Sequence, residues 1–146
     1  MPLQDWSAEG RFLLFERNEE STGINDLWVM PVVGRQQAFP FLQTAFRKLY
    51  ARFSPNGLWV AYGSNESGKS EVYVQSFPNP RTRRLVSTNG GSMPRWRHDG
   101  KELYYLSADE HVMVVTVDSV RRSAWLPKDP CSSRLTPGSK GRPSTM

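Results

Sequence analysis

Ala51-Arg52-Phe53-Ser54-Pro55-Asn56-Gly57-Leu58-Trp59-Val60-Ala61-Tyr62 reads as a strand, a tight turn and a second strand. Proline presets φ in the turn, and Asn56 and Gly57 tolerate positive φ. Leu58 to Tyr62 then resumes an apolar, aromatic and β-branched run. The pattern occurs three times. It aligns with Asp5-Trp6-Ser7-Ala8-Glu9-Gly10-Arg11-Phe12-Leu13-Leu14-Phe15 and with Arg95-Trp96-Arg97-His98-Asp99-Gly100-Lys101-Glu102-Leu103-Tyr104-Tyr105. The turn glycines Gly10, Gly57 and Gly100 lie 47 and 43 residues apart, as do the aromatics Trp6, Phe53 and Trp96.

A second segment repeats in step. Asp26-Leu27-Trp28-Val29-Met30-Pro31-Val32 matches Glu71-Val72-Tyr73-Val74-Gln75-Ser76-Phe77 and His111-Val112-Met113-Val114-Val115-Thr116-Val117. A weaker fourth segment pairs Phe41-Leu42-Gln43-Thr44 with Leu85-Val86-Ser87-Thr88. Four short strands in a unit of about 40–45 residues is the arithmetic of a β-propeller blade. Adjacent apolar residues (Phe12 and Leu13, Trp59 and Val60, Tyr104 and Tyr105) leave both strand faces apolar, as a sheet between neighbouring sheets requires. The expected fold is all-β: a partial propeller of about three four-stranded antiparallel blades, in units 4–44, 50–88 and 94–118. Phe46, Leu49, Tyr50 and Phe53 also have roughly helical spacing, but the register of Ala51-Arg52-Phe53 makes that segment a crossover into the next first strand.

The formal charge of +5 is carried by residues 119–146, where six Lys and Arg face one Asp. Residues 1–118 hold 13 basic and 13 acidic groups, so the high basicity gives the repeats no specific nucleic-acid role. The Ser/Pro-rich tail 119–146 is expected to be disordered. No apolar run of membrane-spanning length exists, and Met1 to Trp6 has no signal-peptide pattern. Cys131 is the single cysteine; with His98 and His111 it supplies no zinc set.

These repeats resemble the WD40-like, TolB-type propeller repeats, whose mark is an aromatic-Ser-Pro-Asp-Gly turn. Phe53-Ser54-Pro55-Asn56-Gly57 carries it, and the Trp6 and Trp96 turns are degenerate copies. Asp26 to Pro31, Ser64 to Gly68 followed by Glu71 to Val74, and Gly90-Gly91 leading into Pro94 to Arg97 resemble one branch of that family. The resemblance covers about residues 4–117. It implies the C-terminal propeller of a larger bacterial protein, such as a membrane-anchored serine/threonine kinase, and a periplasmic or extracytoplasmic place for such a parent. A parent of another kind leaves the cytoplasm open. The family usually has six or more blades, and the likeness stops after Val117, so a fragment of a larger protein is expected.

Gly63-Ser64-Asn65-Glu66-Ser67-Gly68-Lys69-Ser70 matches the P-loop pattern through Gly63, Gly68, Lys69 and Ser70. A P-loop needs a helix N-terminus after it. Glu71 to Phe77 alternates and stops at Pro78, so it reads as a strand and the match as a decoy. Nucleotide binding is thus a remote alternative, and no cofactor is expected. No G-x-S-x-G elbow and no kinase motif occurs, so no catalytic residue is assigned and the chain reads as a non-enzyme. His98 reads as a turn residue and His111 as a strand-edge residue. Arg81, Arg83, Arg84, Arg95 and Arg97 read as a solvated basic face, and Asn65-Glu66-Ser67 is a formal sequon.

Function is therefore expected from loops held rigid by strands. Glu19 and Glu20, Asn65, Glu66 and Lys69, and Asp109 and Glu110 are the loop residues that would face a protein or peptide partner. The alternative is an accessory propeller of a kinase or peptidase whose catalytic domain lies elsewhere. Three blades leave open faces, so pairing of two copies is a further expectation.

Overall fold

The computed structural model describes residues 2–117; the expected tail, with Cys131, lies outside them. The strands are β1 (Leu3–Trp6), β2 (Phe12–Asn18), β3 (Asn25–Pro31), β4 (Phe39–Leu42), β5 (Lys48–Phe53), β6 (Trp59–Ser64), β7 (Glu71–Ser76), β8 (Arg83–Leu85), β9 (Gly91–Trp96), β10 (Glu102–Ser107) and β11 (Val112–Thr116). They form three antiparallel meanders: β1-β2-β3-β4, β5-β6-β7-β8 and β9-β10-β11. No helix occurs among the described residues; residues 43–47 are an irregular crossover, and β5 starts at Lys48.

The three recurrent turns have one geometry. Gly10 N–H donates to Ser7 O (2.8 Å), Gly57 N–H to Ser54 O (2.9 Å) and Gly100 N–H to Arg97 O (2.8 Å). The glycine φ values are 76°, 74° and 75°, in the left-handed region where a Cβ is costly. Ser7 and Ser54 Oγ accept the amides of Phe12 and Trp59, both at 3.0 Å. Arg97 replaces that serine in the third copy, where Asp99 Oδ1 accepts Lys101 N–H at 2.9 Å.

The blades stack through their faces. Leu14, Leu27, Val29 and Phe41 of the first pack on Phe53, Val60, Tyr62 and Phe77 of the second. Trp59, Ala61, Val72 and Val74 of the second pack on Leu103, Tyr105, Val115 and Val117 of the third. Alternation along β6 sends Val60 and Tyr62 to one seam, Trp59 and Ala61 to the other. Every residue of β6 is therefore buried, whereas β2 and β10 each hold only two buried residues, and β2 ends on exposed Arg17 and Asn18. The apolar-on-both-faces pattern is filled only in the middle blade.

β1 lies beside β5, and β5 beside β9, so the sheets converge on their first strands. Side chains satisfy this edge: Ala51 N–H donates to Gln4 Oε1 (3.1 Å) and Phe53 N–H to Asp5 Oδ2 (2.7 Å). Trp96 Nε1–H then donates to Arg52 O at 3.1 Å.

Candidate functional site

The converging edge carries a feature that turn chemistry does not explain. Each first strand slips register against its neighbour: at Leu3/Asp5 in β1, between Leu49 and Arg52 in β5, and opposite Tyr104/Leu106 in β9. Leu3, Tyr50 and Met93 are equivalent positions there, 47 and 43 residues apart. Tyr50 has φ 57° and Met93 φ 55°, a conformation that costs a bulky residue steric strain. All three side chains are exposed, by 59%, 39% and 43%. A bulge re-aims a side chain, and at Tyr50 and Met93 it leaves a large apolar side chain exposed on the first strand of its blade.

Two positions further along lie Arg52 and Arg95, again equivalent. Each guanidinium donates Nη1–H to the carbonyl before it, Ala51 O at 2.8 Å and Pro94 O at 3.2 Å. Arg52 Nη1 also bonds Gln4 O at 2.8 Å. Neither arginine makes an ion pair among the described residues. Burial, then the charge of Arg95, lowers the proton affinity of Arg52 against the pull of Asp5. The edge thus combines exposed apolar side chains with two guanidinium groups that form no salt bridge among the described residues, a pairing suited to an anionic group on an apolar ligand.

The loop residues singled out from sequence all lie at one end of the blades, in the β2–β3, β6–β7 and β10–β11 hairpins. The structure does not gather them into one cavity. Glu19 joins Arg17, Asp26, Trp28 and Gln43 around a depression of about 310 Å³, and Glu20 is exposed beside it. Asn65 Oδ1 accepts Arg47 N–H at 2.9 Å, tying the hairpin to the crossover. Glu66 pairs with Arg83, which also stacks on Tyr73 at 5.0 Å. Asp109 lies 3.2 Å from His111 Nδ1 and lines a depression of about 450 Å³ with Ser107, Thr88 and Asn89. Glu110 occupies a left-handed turn position, φ 69°.

The P-loop match has other employment. Gly63 and Ser64 belong to β6, and the hairpin leads into strand β7 rather than a helix. Ser70 Oγ–H donates to Gly91 O at 2.9 Å across the seam. Lys69 Nζ stands 3.9 Å from Glu71 Oε2, and Glu71 Oε1 accepts from Ser87 Oγ and from Gly90 N (3.1 Å). A buried carboxylate there opposes a phosphate.

The basic face read from sequence is divided. Arg83 is spent on Glu66, while Arg97 pairs with Asp99 (3.4 Å) and Glu102 (3.2 Å). Sequence reasoning missed buried charge. Lys48 is fully buried; its Nζ donates to Thr44 O (3.1 Å), Thr44 Oγ1 (3.0 Å) and Phe46 O, with Asp26 at 3.5 Å. Burial lowers its proton affinity and Asp26 opposes that. Burial pushes the Tyr62 phenol up to about 12, so it stays protonated at neutral pH. Among the described residues no cluster of His, Cys, Asp and Glu could hold a metal, and no helix is long and apolar enough to cross a membrane.

No protein-family model matches the sequence, and no curated protein matches it. Solved structures do share the fold. The putative TolB from Agrobacterium tumefaciens superposes with a TM-score of 0.66 at 15% identity, over 78% of this chain and 44% of that one. TolB from Acinetobacter baumannii gives 0.59 at 18%, over 84% of this chain and 30% of that one. A prolyl endopeptidase from work on inter-domain dynamics gives 0.53 at 14%, over 86% and 21%. The fold is that of a partial TolB-like propeller, and the chain spans less than half the length of each of these proteins.

Proposed function

We propose that this chain is a non-catalytic protein-interaction module, part of a larger protein, that receives an extended segment of a protein partner along its converging edge. The carrying observation is the recurrence of the bulge, with Leu3, Tyr50 and Met93 exposed at equivalent positions and with Arg52 and Arg95, two residues after Tyr50 and Met93, outside any salt bridge among the described residues. The partner segment then offers an apolar side chain to these exposed residues and a carboxylate to the arginines. Glu19, Glu20, Asp109 and Glu110 stand on the rim at the loop end and select against further acidic groups. TolB-like neighbours supply the fold on which this reading rests.

Selection of a displayed random-peptide library on the full chain tests this. Apolar-acidic peptides should be enriched on the wild type and lost on Arg52→Gln/Arg95→Gln and on Tyr50→Ser, with melting temperatures unchanged. Enrichment indifferent to those substitutions, or none, refutes the proposal. The second reading, an accessory propeller of a kinase or peptidase, draws on the prolyl endopeptidase likeness. A catalytic domain encoded in frame with this chain would favour it.

A further inference from the structure

We infer that the outer edge of the middle blade, strand β8, takes up an acidic extended segment of a partner protein as an added fifth strand. β8 ends the order β5-β6-β7-β8, at the far side of the sheet from the converging first strands. The first and third blades pack on the two faces of this sheet, so neither lies across its outer edge.

The free backbone groups follow from register. Gln75 pairs with Arg83, Val74 with Arg84 and Tyr73 with Leu85. Ser76 N–H donates to Thr82 O at 2.9 Å, and Val86 N–H to Val72 O at 2.8 Å. Antiparallel bonding alternates, so Thr82, Arg84 and Val86 are the positions that bond β7. Arg83 and Leu85 then turn N–H and C=O outward, where a further strand can pair with them.

Both ends of this strand are pinned. Ser76 Oγ accepts Arg81 N–H (2.9 Å) and Thr82 N–H (3.0 Å) at its start. At its end, Ser87 Oγ accepts Val72 N–H at 2.8 Å. The edge is thus held extended before anything binds, which lowers the ordering cost of association. The outer strand of the first blade differs. β4 contains Pro40, which has no N–H to give, and its pairing slips register between Leu27 and Trp28.

Side chains set the kind of strand that fits. Arg83 and Leu85 share one face of β8, and Arg84 has the other. On the first face Glu66 already holds Arg83, which stacks on Tyr73 at 5.0 Å, and Leu85 is exposed beside it. On the second, Arg84 is exposed and forms no salt bridge among the described residues, and neither does exposed Arg81 just ahead of β8. An incoming strand therefore meets an apolar neighbour on one face and a cation on the other. A carboxylate opposite Arg84 and an apolar residue beside Leu85 suit both. A second copy of β8 is a poor occupant, because it sets arginine beside arginine.

The test is an NMR titration of the isotope-labelled full chain with a synthetic heptapeptide alternating valine and glutamate. Saturable shifts are expected at the Arg83 and Leu85 amides, with slowed solvent exchange of both. A heptapeptide alternating valine and lysine should bind about tenfold more weakly, and Arg84→Glu should weaken the glutamate peptide by about as much. Leu85→Pro removes an outward N–H while leaving Arg84 and Val86 paired, and should abolish the shift at Arg83. Arg84→Glu touches no inward bond and decides the matter should Leu85→Pro disturb β7. Unmoved Arg83 and Leu85 amides, equal affinity for the lysine peptide, or full binding by Arg84→Glu overturns the inference. Shifts at Tyr50 and Met93 alone assign the peptide to the converging edge and overturn it too. The two proposals use different strands, so either can fail alone.

Discussion

Phe77 is the residue on which the first seam should depend most. It follows β7, is 6% exposed, and meets three phenylalanines edge-on. The ring centroids lie 5.2 Å from Phe12, 5.3 Å from Phe41 and 5.0 Å from Phe53, at interplanar angles of 77°, 63° and 76°. Those partners come from β2, β4 and β5, so one side chain ties two blades together. Truncating a buried phenylalanine to alanine costs about 3–5 kcal/mol in transfer and cavity terms. Each edge-to-face pair adds roughly 0.5–1.5 kcal/mol beyond its area, which puts Phe77→Ala at the top of that range. Phe77→Leu keeps most of the volume and loses the ring geometry, for about 1.5–2 kcal/mol.

Against a total stability of about 5–15 kcal/mol, the alanine variant loses a third or more. Urea unfolding followed by tryptophan fluorescence and far-UV circular dichroism measures this. A double-mutant cycle of Phe12→Ala with Phe77→Ala should give a coupling of about 1 kcal/mol. Two results refute the reasoning: an alanine cost below about 1 kcal/mol, or a leucine cost equal to the alanine one.

The remaining predictions concern buried polar and crowded positions. Burial raises the proton affinity of the Glu16 carboxyl, opposed by the Asn25 hydrogen bond and the charge of Arg47. The folded state therefore holds the proton more tightly than the unfolded chain, and stability from this group falls as pH rises through its folded value. Glu16→Gln should melt higher than wild type at neutral pH, with the gap closing near pH about 4 in a calorimetric pH series. A gap constant with pH would assign the effect to packing. At Gly91 an added Cβ would lie 2.6 Å from Ser87 Cβ and 2.9 Å from Tyr105 Cδ2. Gly91→Ala should cost about 1–3 kcal/mol in urea unfolding, and a cost below about 0.5 kcal/mol would refute the crowding argument.

The blade architecture was legible because it rests on local chemistry repeated in step. A turn that needs glycine near φ 75° announces itself at Gly10, Gly57 and Gly100, and the strands follow from it. The converging edge was not legible. Nothing in Leu49-Tyr50-Ala51 signals a left-handed bulge, because contact between first strands sets it rather than turn chemistry. Lys48 and Glu71 open strands β5 and β7 and are buried, which sequence does not signal, because Lys48 is held by Thr44 and Asp26 and Glu71 by Ser87 and Gly90. The acidic loops were found, but their internal pairings were hidden: Glu66 is held by Arg83, 17 residues on in sequence.

The same positions also show why the P-loop match misleads. The start of the third strand is where one blade must grip the next, and the two seams solve this with different chemistry. The first uses Asn25 and Asp26 against a buried lysine, Lys48. The second uses Ser70 and Glu71 against backbone groups at Gly90 and Gly91. A small hydroxyl after a flexible glycine and a lysine is what that second grip needs: Gly68 turns the hairpin at φ 99°, Lys69 offsets the buried Glu71, and Ser70 reaches Gly91 O. Three of the four residues that make the match, Gly68, Lys69 and Ser70, thus serve the hairpin and the seam.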